Sequence, residues 1–265
     1  MVRRPGTGRR GLRPAELHLR HHPGGPVAAA RRPARLDANG LHLRARSLVL
    51  LGDVQRDRGR LHGPGSARQA YSEAHALFTD LGNTRRVAQV QLARVVVDEM
   101  DGDLPGAALR YRRLAADVRL SARDRARALL WVGTALSKAG AAADALDYLD
   151  RATTLFQDLN EPADWSVAHQ KLALAHRDLG DLTRAQRHID IALAERVGNS
   201  PLQRVRLDTA HGHLLLSDRA TAEEGLRLLD HTATLALEFD LTHQHAGILG
   251  IRTAFDNDDH GRGTL

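Results

Sequence analysis

Apolar and small residues recur with a period of forty between Ala126 and Ala192. Within one copy, the spacing predicts a helix that carries a small residue, a turn at a glycine, and a second helix with an Ala-x-x-x-Leu-x-x-Ala ridge. Such a helix pair cannot bury its apolar face alone, so we expect it to stack on further copies of itself. The matching positions are Gly133 and Ala173, Leu136 and His176, Gly140 and Gly180, Ala145 and Ala185, Leu149 and Ile189, and Ala152 and Ala192.

The pattern extends in both directions and predicts an all-α chain of about five helix pairs. Residues 77–82 and 155–160 match almost residue for residue at a spacing of 78, which relates the first unit to the third. The first helix of the second unit has two overlapping apolar faces, so its phase stays open. Predicted starts are Leu41, Thr84, Ser121, Pro162 and Pro201 for the five units, and Thr242 for a last helix that ends near Asp256 and caps the stack.

The composition fits helices and excludes several kinds of site. Apolar residues make up 42% of the chain and aromatic residues only 3%, so the core must consist of Ala, Leu and Val at close helix spacing. Cysteine is absent, which excludes disulfides and thiolate metal sites. No apolar run approaches the roughly 20 residues that span a bilayer, and no leader-like core follows the N-terminal arginines. We therefore expect a cytoplasmic protein.

The positive charge is concentrated at the N-terminus. The net charge is +6, but residues 1–46 alone carry +9, which leaves the remainder at about −3. Half of residues 1–40 are Arg, Pro or Gly, so this segment is predicted to be a disordered arm. It is either a basic arm that binds nucleic acid or an acidic partner, or a solvated tail that could lie upstream of the true start. The predicted organisation is an arm at 1–40, repeats at 41–256 and a polar tail at 257–265, and only the arm is suited to nucleic acid.

Fifteen histidines require metal and general-base chemistry to be considered. His211 and His213 are two residues apart, as are His243 and His245, which turns the rings of each pair about 200° apart on a helix. His169 and His176 share a face but lie roughly 10 Å apart, too far for one ion. No nucleophile, zinc or phosphate-binding motif occurs. We therefore predict no metal, no cofactor and no catalytic residue, so the chain is not expected to be an enzyme.

These residues resemble the tetratricopeptide repeat family from Leu41 to Phe255. Three small residues and three ridge alanines match its pattern, and Tyr71 and Tyr111 take its bulky ridge place. The forty-residue period exceeds the usual unit of about 34. With the segments 51–60 and 77–83, it resembles the longer repeats of actinobacterial transcriptional and signalling regulators. The small residues are Gly52, Gly133 and Ala173, and the ridge alanines are Ala67, Ala145 and Ala185.

The resemblance implies a right-handed superhelix whose concave wall is made of first helices, where a peptide or a partner helix would lie. It also implies that His176 fills an interhelix place often taken by tyrosine. A tryptophan beside cations is a reasonable anchor for a peptide side chain. The wall positions assigned in this way are Arg127, Leu130, Trp131, Thr134, Ser137, Lys138, Gln170, Lys171, Leu174, Arg177, Asp178, His211 and Leu214.

The implied function is a scaffold or regulatory adaptor that binds a protein or peptide. Two alternatives stay open. One is a nucleic-acid-associated regulator that uses the basic arm, and the other is a non-catalytic accessory subunit of an enzyme. The Lys and Asn pattern with which some members of the family bind a terminal carboxylate is not reproduced, so that specificity is not predicted.

Overall fold

A computed structural model describes residues 37–195 and 200–262, with side chains described up to residue 257, and these ranges contain helices and no strand. The helices are α1 (Ala38–Asp57), α2 (Ala67–Asp80), α3 (Thr84–Met100), α4 (Leu104–Ala115), α5 (Ala122–Lys138), α6 (Ala142–Asp158), α7 (Pro162–Asp178), α8 (Leu182–Ala194), α9 (Pro201–Leu215), α10 (Ala222–Glu238) and α11 (Thr242–Arg262). Each helix packs against the next, so the described part of the chain forms five helix pairs followed by a capping helix. The predicted all-α solenoid is confirmed.

Four of the five predicted unit starts agree with the helix starts to within one residue. The Ser121 side chain accepts a hydrogen bond from the backbone N–H of Asp124 and so caps α5. Pro162 and Pro201 stand at the first positions of α7 and α9, where the amide that proline lacks would have no helical partner. Local chemistry therefore sets where each repeat begins.

In each pair, the second helix packs between two odd-numbered helices. The buried residues form five clusters along the chain, and each cluster joins one even-numbered helix to the odd-numbered helices on either side of it. This explains the two apolar faces of α3, because Val90 and Val97 pack toward α2 whereas Leu92 and Val95 pack toward α4 and α5. The successive clusters form one hydrophobic seam, as expected for stacked repeats.

Small residues in the first helices allow the second helices to approach closely. A Cβ built on Gly133 would lie 2.6 Å from Cγ of Leu149, and one on Gly52 would lie 2.5 Å from the ring of Tyr71. The ridge residue Ala145 is fully buried beside this contact. The forty-residue pattern therefore records the sites at which the two helices of a pair touch.

The turn glycines are required by backbone conformation. Gly140 has a φ of +82° between α5 and α6, and Gly180 has a φ of +77° at the equivalent turn between α7 and α8. Residues with a Cβ rarely adopt this left-handed backbone conformation, so glycine is favoured at the end of the first helix. The period in the sequence therefore marks these turns as well as the core.

Two predicted boundaries are wrong by a few residues. Helix α1 begins at Ala38 after its N-cap Asp37, so the last residues of the predicted arm belong to the first helix. The rest of the arm lies outside the described residues. Helix α11 continues to Arg262 instead of ending near Asp256, so most of the predicted tail is helical. The sequence signal failed there because the pattern becomes polar while nothing in the segment breaks the helix.

Candidate functional site

The first helices of neighbouring repeats enclose an inner cavity of about 220 Å³. Helix α3 contributes Glu99, α5 contributes Trp131 and Lys138, and α7 contributes Lys171. Helices α9 and α11 complete the lining, with Arg206 and His243 among their residues. Five helices that are distant in the sequence therefore present side chains to one space.

The last helix reaches back to the first helix pair. Nε of Arg58, just after α1, lies 2.6 Å from Oδ2 of Asp240, just before α11. The side chain of His243 lies 3.6 Å from the position of a Cβ on Gly59. The first and last repeats therefore meet, and this contact brings α11 to the inner cavity.

Polar contacts tie α3 to α5, α5 to α7 and α7 to α9. Nε2 of Gln89 on α3 donates to Asp124 on α5 at 2.9 Å. Nε of Arg127 on α5 donates to Asp164 on α7 at 3.0 Å. The amide of Gln170 on α7 donates to a backbone carbonyl of α9 at 2.6 Å. These contacts fix the spacing of the helices that form the wall.

Glu99 is a buried carboxylate at the edge of the cavity. Its side chain is bound on both oxygens, because the hydroxyl of Tyr111 donates to Oε2 at 2.8 Å and Nζ of Lys138 donates to Oε1 at 2.7 Å. Burial, followed by the nearby charge of Glu99, raises the pKa of Tyr111 well above its usual value, so the phenol remains a donor. Sequence reasoning missed Glu99, whose only signal was a carboxylate within a valine-rich helix.

Lys171 is the cation with the most perturbed environment in the cavity. Burial lowers its pKa to about 7, and repulsion from Lys138 and Arg206 acts in the same direction. Its ammonium is therefore only partly protonated at neutral pH. The chain contains only two lysines, Lys138 and Lys171, and both line this cavity.

A second groove of about 640 Å³ lies next to the inner cavity. It is lined by the ends of α5 and α7 and the start of α6, including Ser137, Arg177 and Asp178. Lys138 and Leu174 line both spaces, as does His213. The two spaces therefore form neighbouring parts of one wall.

Most of the predicted wall residues line one of these two spaces. The predicted residues that line the inner cavity are Trp131, Thr134, Lys138, Gln170, Lys171 and Leu174. Ser137, Arg177 and Asp178 line the groove, where the Ser137 hydroxyl donates to Asp178 at 3.1 Å and Arg177 forms an ion pair with the same carboxylate.

Four predicted wall residues line neither space. Leu130 and Leu214 are only 1% and 5% exposed and belong to core clusters, so their assignment to the wall is wrong. A first helix packs against second helices on two sides, which leaves a narrower free face than the sequence suggested. Arg127 is held by Asp164, and His211 is half-buried away from the cavity lining.

Several solved structures are similar to this chain. The Rap conjugation gene regulator of the plasmid pLS20, in complex with the Phr* peptide, matches with a TM-score of 0.62 and 17% identity, over 81% of this chain and 60% of that chain. A Rap protein complexed with competence and sporulation factor matches with a TM-score of 0.51 and 17% identity, over 82% of this chain and 66% of that chain. A putative kinesin light chain of Podosopora anserina with nearly identical TPR-like repeats matches with a TM-score of 0.48 and 13% identity, over 75% of this chain and 97% of that chain.

The chain has a tetratricopeptide-repeat-like (TPR-like) fold. It spans 60% of the length of the first of these similar structures. No protein-family model matches the sequence, and neither does any curated protein. At this level of identity the comparisons establish the fold, while function must be argued from the site.

A column of aromatic rings lies between α7 and α8 of the TPR-like array, on the other side of α7 from the cavity. Trp165 meets His169 edge to face, with ring centroids 4.2 Å apart, and His188 stacks on both His169 and His176. Nδ1 of His169 lies 2.8 Å from Nδ1 of His188. Among the described residues, no group of three or more His, Asp or Glu side chains could hold a metal ion. Because the rings contact one another between the two helices, the column acts as a packing element, which agrees with an interhelix position for His176.

Acidification is expected to destabilise the fold through this column. Burial, followed by repulsion from His188, lowers the pKa of His169 to about 4. Between that pH and the ordinary value near 6.5, the unfolded chain binds a proton that the folded chain does not, so stability is lost as the pH falls through this window. Urea denaturation should show that the free energy of unfolding is lower at pH 4.5 than at pH 7, with about 2–3 kcal/mol of the difference caused by His169.

The substitution His169→Phe should reduce this pH dependence, because a neutral ring retains contact with Trp165 and cannot be protonated. His231→Asn, at an exposed position of α10, is the matched control and should leave the pH dependence unchanged. If the free energy of unfolding of His169→Phe depends on pH as steeply as that of the wild-type protein, other groups cause the acid sensitivity.

None of the described helices combines the length and the apolar character that a bilayer crossing requires.

Proposed function

We propose that this chain is a regulatory module that binds a peptide or an extended segment of a protein along its inner wall. The observation that carries this proposal is the pair of adjoining spaces formed by the first helices. The groove of about 640 Å³ has the size of a ligand site, and the inner cavity of about 220 Å³ opens beside it. The residues that line both spaces give a ligand continuous contact.

The residue types on the wall suit a peptide. Trp131 offers an aromatic surface, Leu174 an aliphatic one, and Lys138 and Lys171 supply donors. Aromatic side chains flanked by polar donors commonly anchor peptide side chains, because they combine a large apolar contact area with specific hydrogen bonds. The wall therefore combines apolar area with orienting groups.

The structural neighbours support the same class of ligand. One Rap structure is that of a conjugation gene regulator in complex with the Phr* peptide, and the other contains competence and sporulation factor. Their backbones align with more than four-fifths of this chain. This likeness supports a peptide-responsive regulator.

Replacing Trp131 by alanine tests the proposed wall. The wild-type protein is mixed with a pool of random heptapeptides with capped ends, and the retained peptides are identified and their dissociation constants measured. We expect Trp131→Ala to weaken binding of the retained peptides at least tenfold, as for a central aromatic contact. Because Trp131 is also packed partly against the core, some loss of thermal stability should accompany the change.

Trp165→Ala is the matched control. Trp165 is likewise a partly buried tryptophan packed against a core cluster, but it lies outside both spaces. Its truncation should reduce stability and leave peptide affinity within about twofold. If the two variants weaken binding equally, the effect reflects general destabilisation and the assignment of the ligand to this wall fails.

A further inference from the structure

The inner cavity has more positive than negative side chains. Successive first helices provide three cations, Lys138, Lys171 and Arg206, whereas Glu99 is the one carboxylate among the residues that line the cavity. The two histidines of the lining do not balance this charge. Burial lowers the pKa of His213 to about 4, and burial together with repulsion from Lys138 lowers the pKa of His243. Both rings are therefore neutral at physiological pH.

The cations differ in how well they are compensated. Lys138 is paired with Glu99 at 2.7 Å. Arg206 lies 3.9 Å from Oδ1 of Asp57, and that same oxygen is bound by Arg56 at 3.0 Å. Within the part of the chain that the structure describes, no carboxylate lies within ion-pair distance of Lys171. One cation of the cavity thus has no partner, and a second shares its partner.

We propose that the inner cavity receives the acidic side chain of an Asp or Glu residue of the bound peptide, with Lys171 and Arg206 binding its carboxylate. This inference rests on the proposed function and specifies the chemistry of its ligand. Among the described residues, Lys171 has no ion-pair partner and Arg206 shares the one that it has, so a carboxylate placed between these two cations removes part of the cost of burying them. Charge-assisted hydrogen bonds to a carboxylate are also among the stronger polar contacts in proteins.

The dimensions assign the side chain to the cavity and the main chain to the groove. A space of about 220 Å³ is below the usual size of a complete ligand site, but it is sufficient for a side chain. The adjoining groove is about three times larger and contains the Ser137 hydroxyl and the Arg177–Asp178 pair for contacts with a peptide backbone. A peptide lying in the groove would pass Lys138 and Leu174 as its acidic side chain enters the cavity.

Binding of a carboxylate should be linked to protonation of Lys171. In the unliganded protein its pKa is about 7, so at alkaline pH the side chain is a neutral amine that must take up a proton before it can pair with an anion. The preference for an acidic side chain should therefore decline as the pH rises from about 6.5 to about 9. The charged or titratable groups that face Lys171 from the surrounding helices are Glu99 on α3, Lys138 on α5, Arg206 and His213 on α9, and His243 on α11.

Paired peptide pools test the proposal directly. Two pools of random heptapeptides with capped ends are prepared, with Asp and Glu left out of the six outer positions. The central residue is Glu in one pool and Gln in the other. Wild-type protein at pH 6.5 should retain the Glu pool at least tenfold more strongly than the Gln pool. Lys171→Met, which keeps most of the length of the side chain and removes its charge, should bring this ratio close to one.

Two further variants separate the role of Lys171 from general effects of charge. Lys171→Arg should keep the preference for Glu and remove its decline toward pH 9, because a guanidinium remains protonated there. Arg151→Met removes one positive charge from an exposed position on α6 and should leave the ratio unchanged. If Lys171→Met keeps the wild-type ratio, or if Lys171→Arg shows the wild-type pH profile, the assignment of the carboxylate to Lys171 is overturned.

The remaining outcomes distinguish this inference from the proposed function. If wild-type protein retains the two pools equally and Trp131→Ala abolishes that retention, peptide binding stands and the acidic specificity is refuted. If neither pool is retained, both the function and its specificity are refuted. Inorganic phosphate is also titrated into wild-type protein loaded with the Glu pool, and the binding of phosphate to Lys171→Met is measured separately. If phosphate displaces the Glu pool at the same concentrations at which it binds Lys171→Met, the cavity is a general anion site and the acidic side chain is not its ligand.

Discussion

Replacing Phe156 by alanine is expected to lower the free energy of unfolding by about 3–5 kcal/mol. Phe156 is fully buried near the end of α6, in the cluster that also contains Leu149 of α6, Leu130 of α5 and Leu172 of α7. Removal of the ring leaves a cavity that rigid neighbouring helices can fill only in part, so the loss of packing adds to the loss of apolar burial. The effect should be large because this cluster joins three helices.

Urea denaturation followed by far-ultraviolet circular dichroism measures this change, and hydrogen exchange locates it. Exchange should accelerate most in α5, α6 and α7, because each repeat is stabilised mainly by its neighbours. Leu155→Ala is the matched control, since the adjacent side chain is 37% exposed and its loss should cost much less. Equal losses in the two variants would mean that the cluster is not closely packed.

Gly133→Ala is expected to destabilise the protein by about 1–3 kcal/mol, contrary to the usual effect of this substitution in a helix. Alanine normally stabilises the interior of a helix relative to glycine by up to about 1 kcal/mol. At Gly133, however, the added Cβ would lie 2.6 Å from Cγ of Leu149 and 3.0 Å from the carbonyl oxygen of Ala145. The methyl group can be accommodated only if α6 moves away from α5.

Gly250→Ala provides the matched control for Gly133→Ala. Gly250 is also inside a helix, and a Cβ there would have no atom within 4 Å, so the substitution should stabilise the protein slightly. Relative to the wild-type protein, the melting temperature and the free energy of unfolding should therefore decrease in Gly133→Ala and increase slightly in Gly250→Ala. A stabilising effect at Gly133 would show that the two helices are less closely packed than the structure indicates.

The packing of α5 also positions the candidate site. Gly133 faces α6, whereas Trp131 and Thr134 on the same helix line the inner cavity. Displacement of α6 would therefore change the setting of the wall residues relative to those on α7. For this reason, Gly133→Ala should also reduce peptide binding in the assay proposed for Trp131, although the substituted atom touches neither space.

The sequence by itself determined the repeat architecture, because its signals are local. Gly133 marks a close helix contact, Ala173 a buried core position, Gly140 and Gly180 mark turns, and Ser121 marks a helix start through hydrogen bonds within a few residues of itself. Each signal acts over one helix or one turn, so its period along the chain is sufficient to place it. Nine of the thirteen residues that the family resemblance assigned to the wall line the inner cavity or the groove.

Only the tertiary structure decided which side chains meet across repeats. The contact between Arg58 and Asp240 joins the first and last repeats, and it depends on the rotation accumulated over all the intervening helix pairs. The pairing of Glu99 with Lys138, and the cavity that Lys171 shares with Arg206, arise in the same way. The local period carries no information about that accumulated rotation, so it could not predict that three cations and one buried carboxylate line the same cavity.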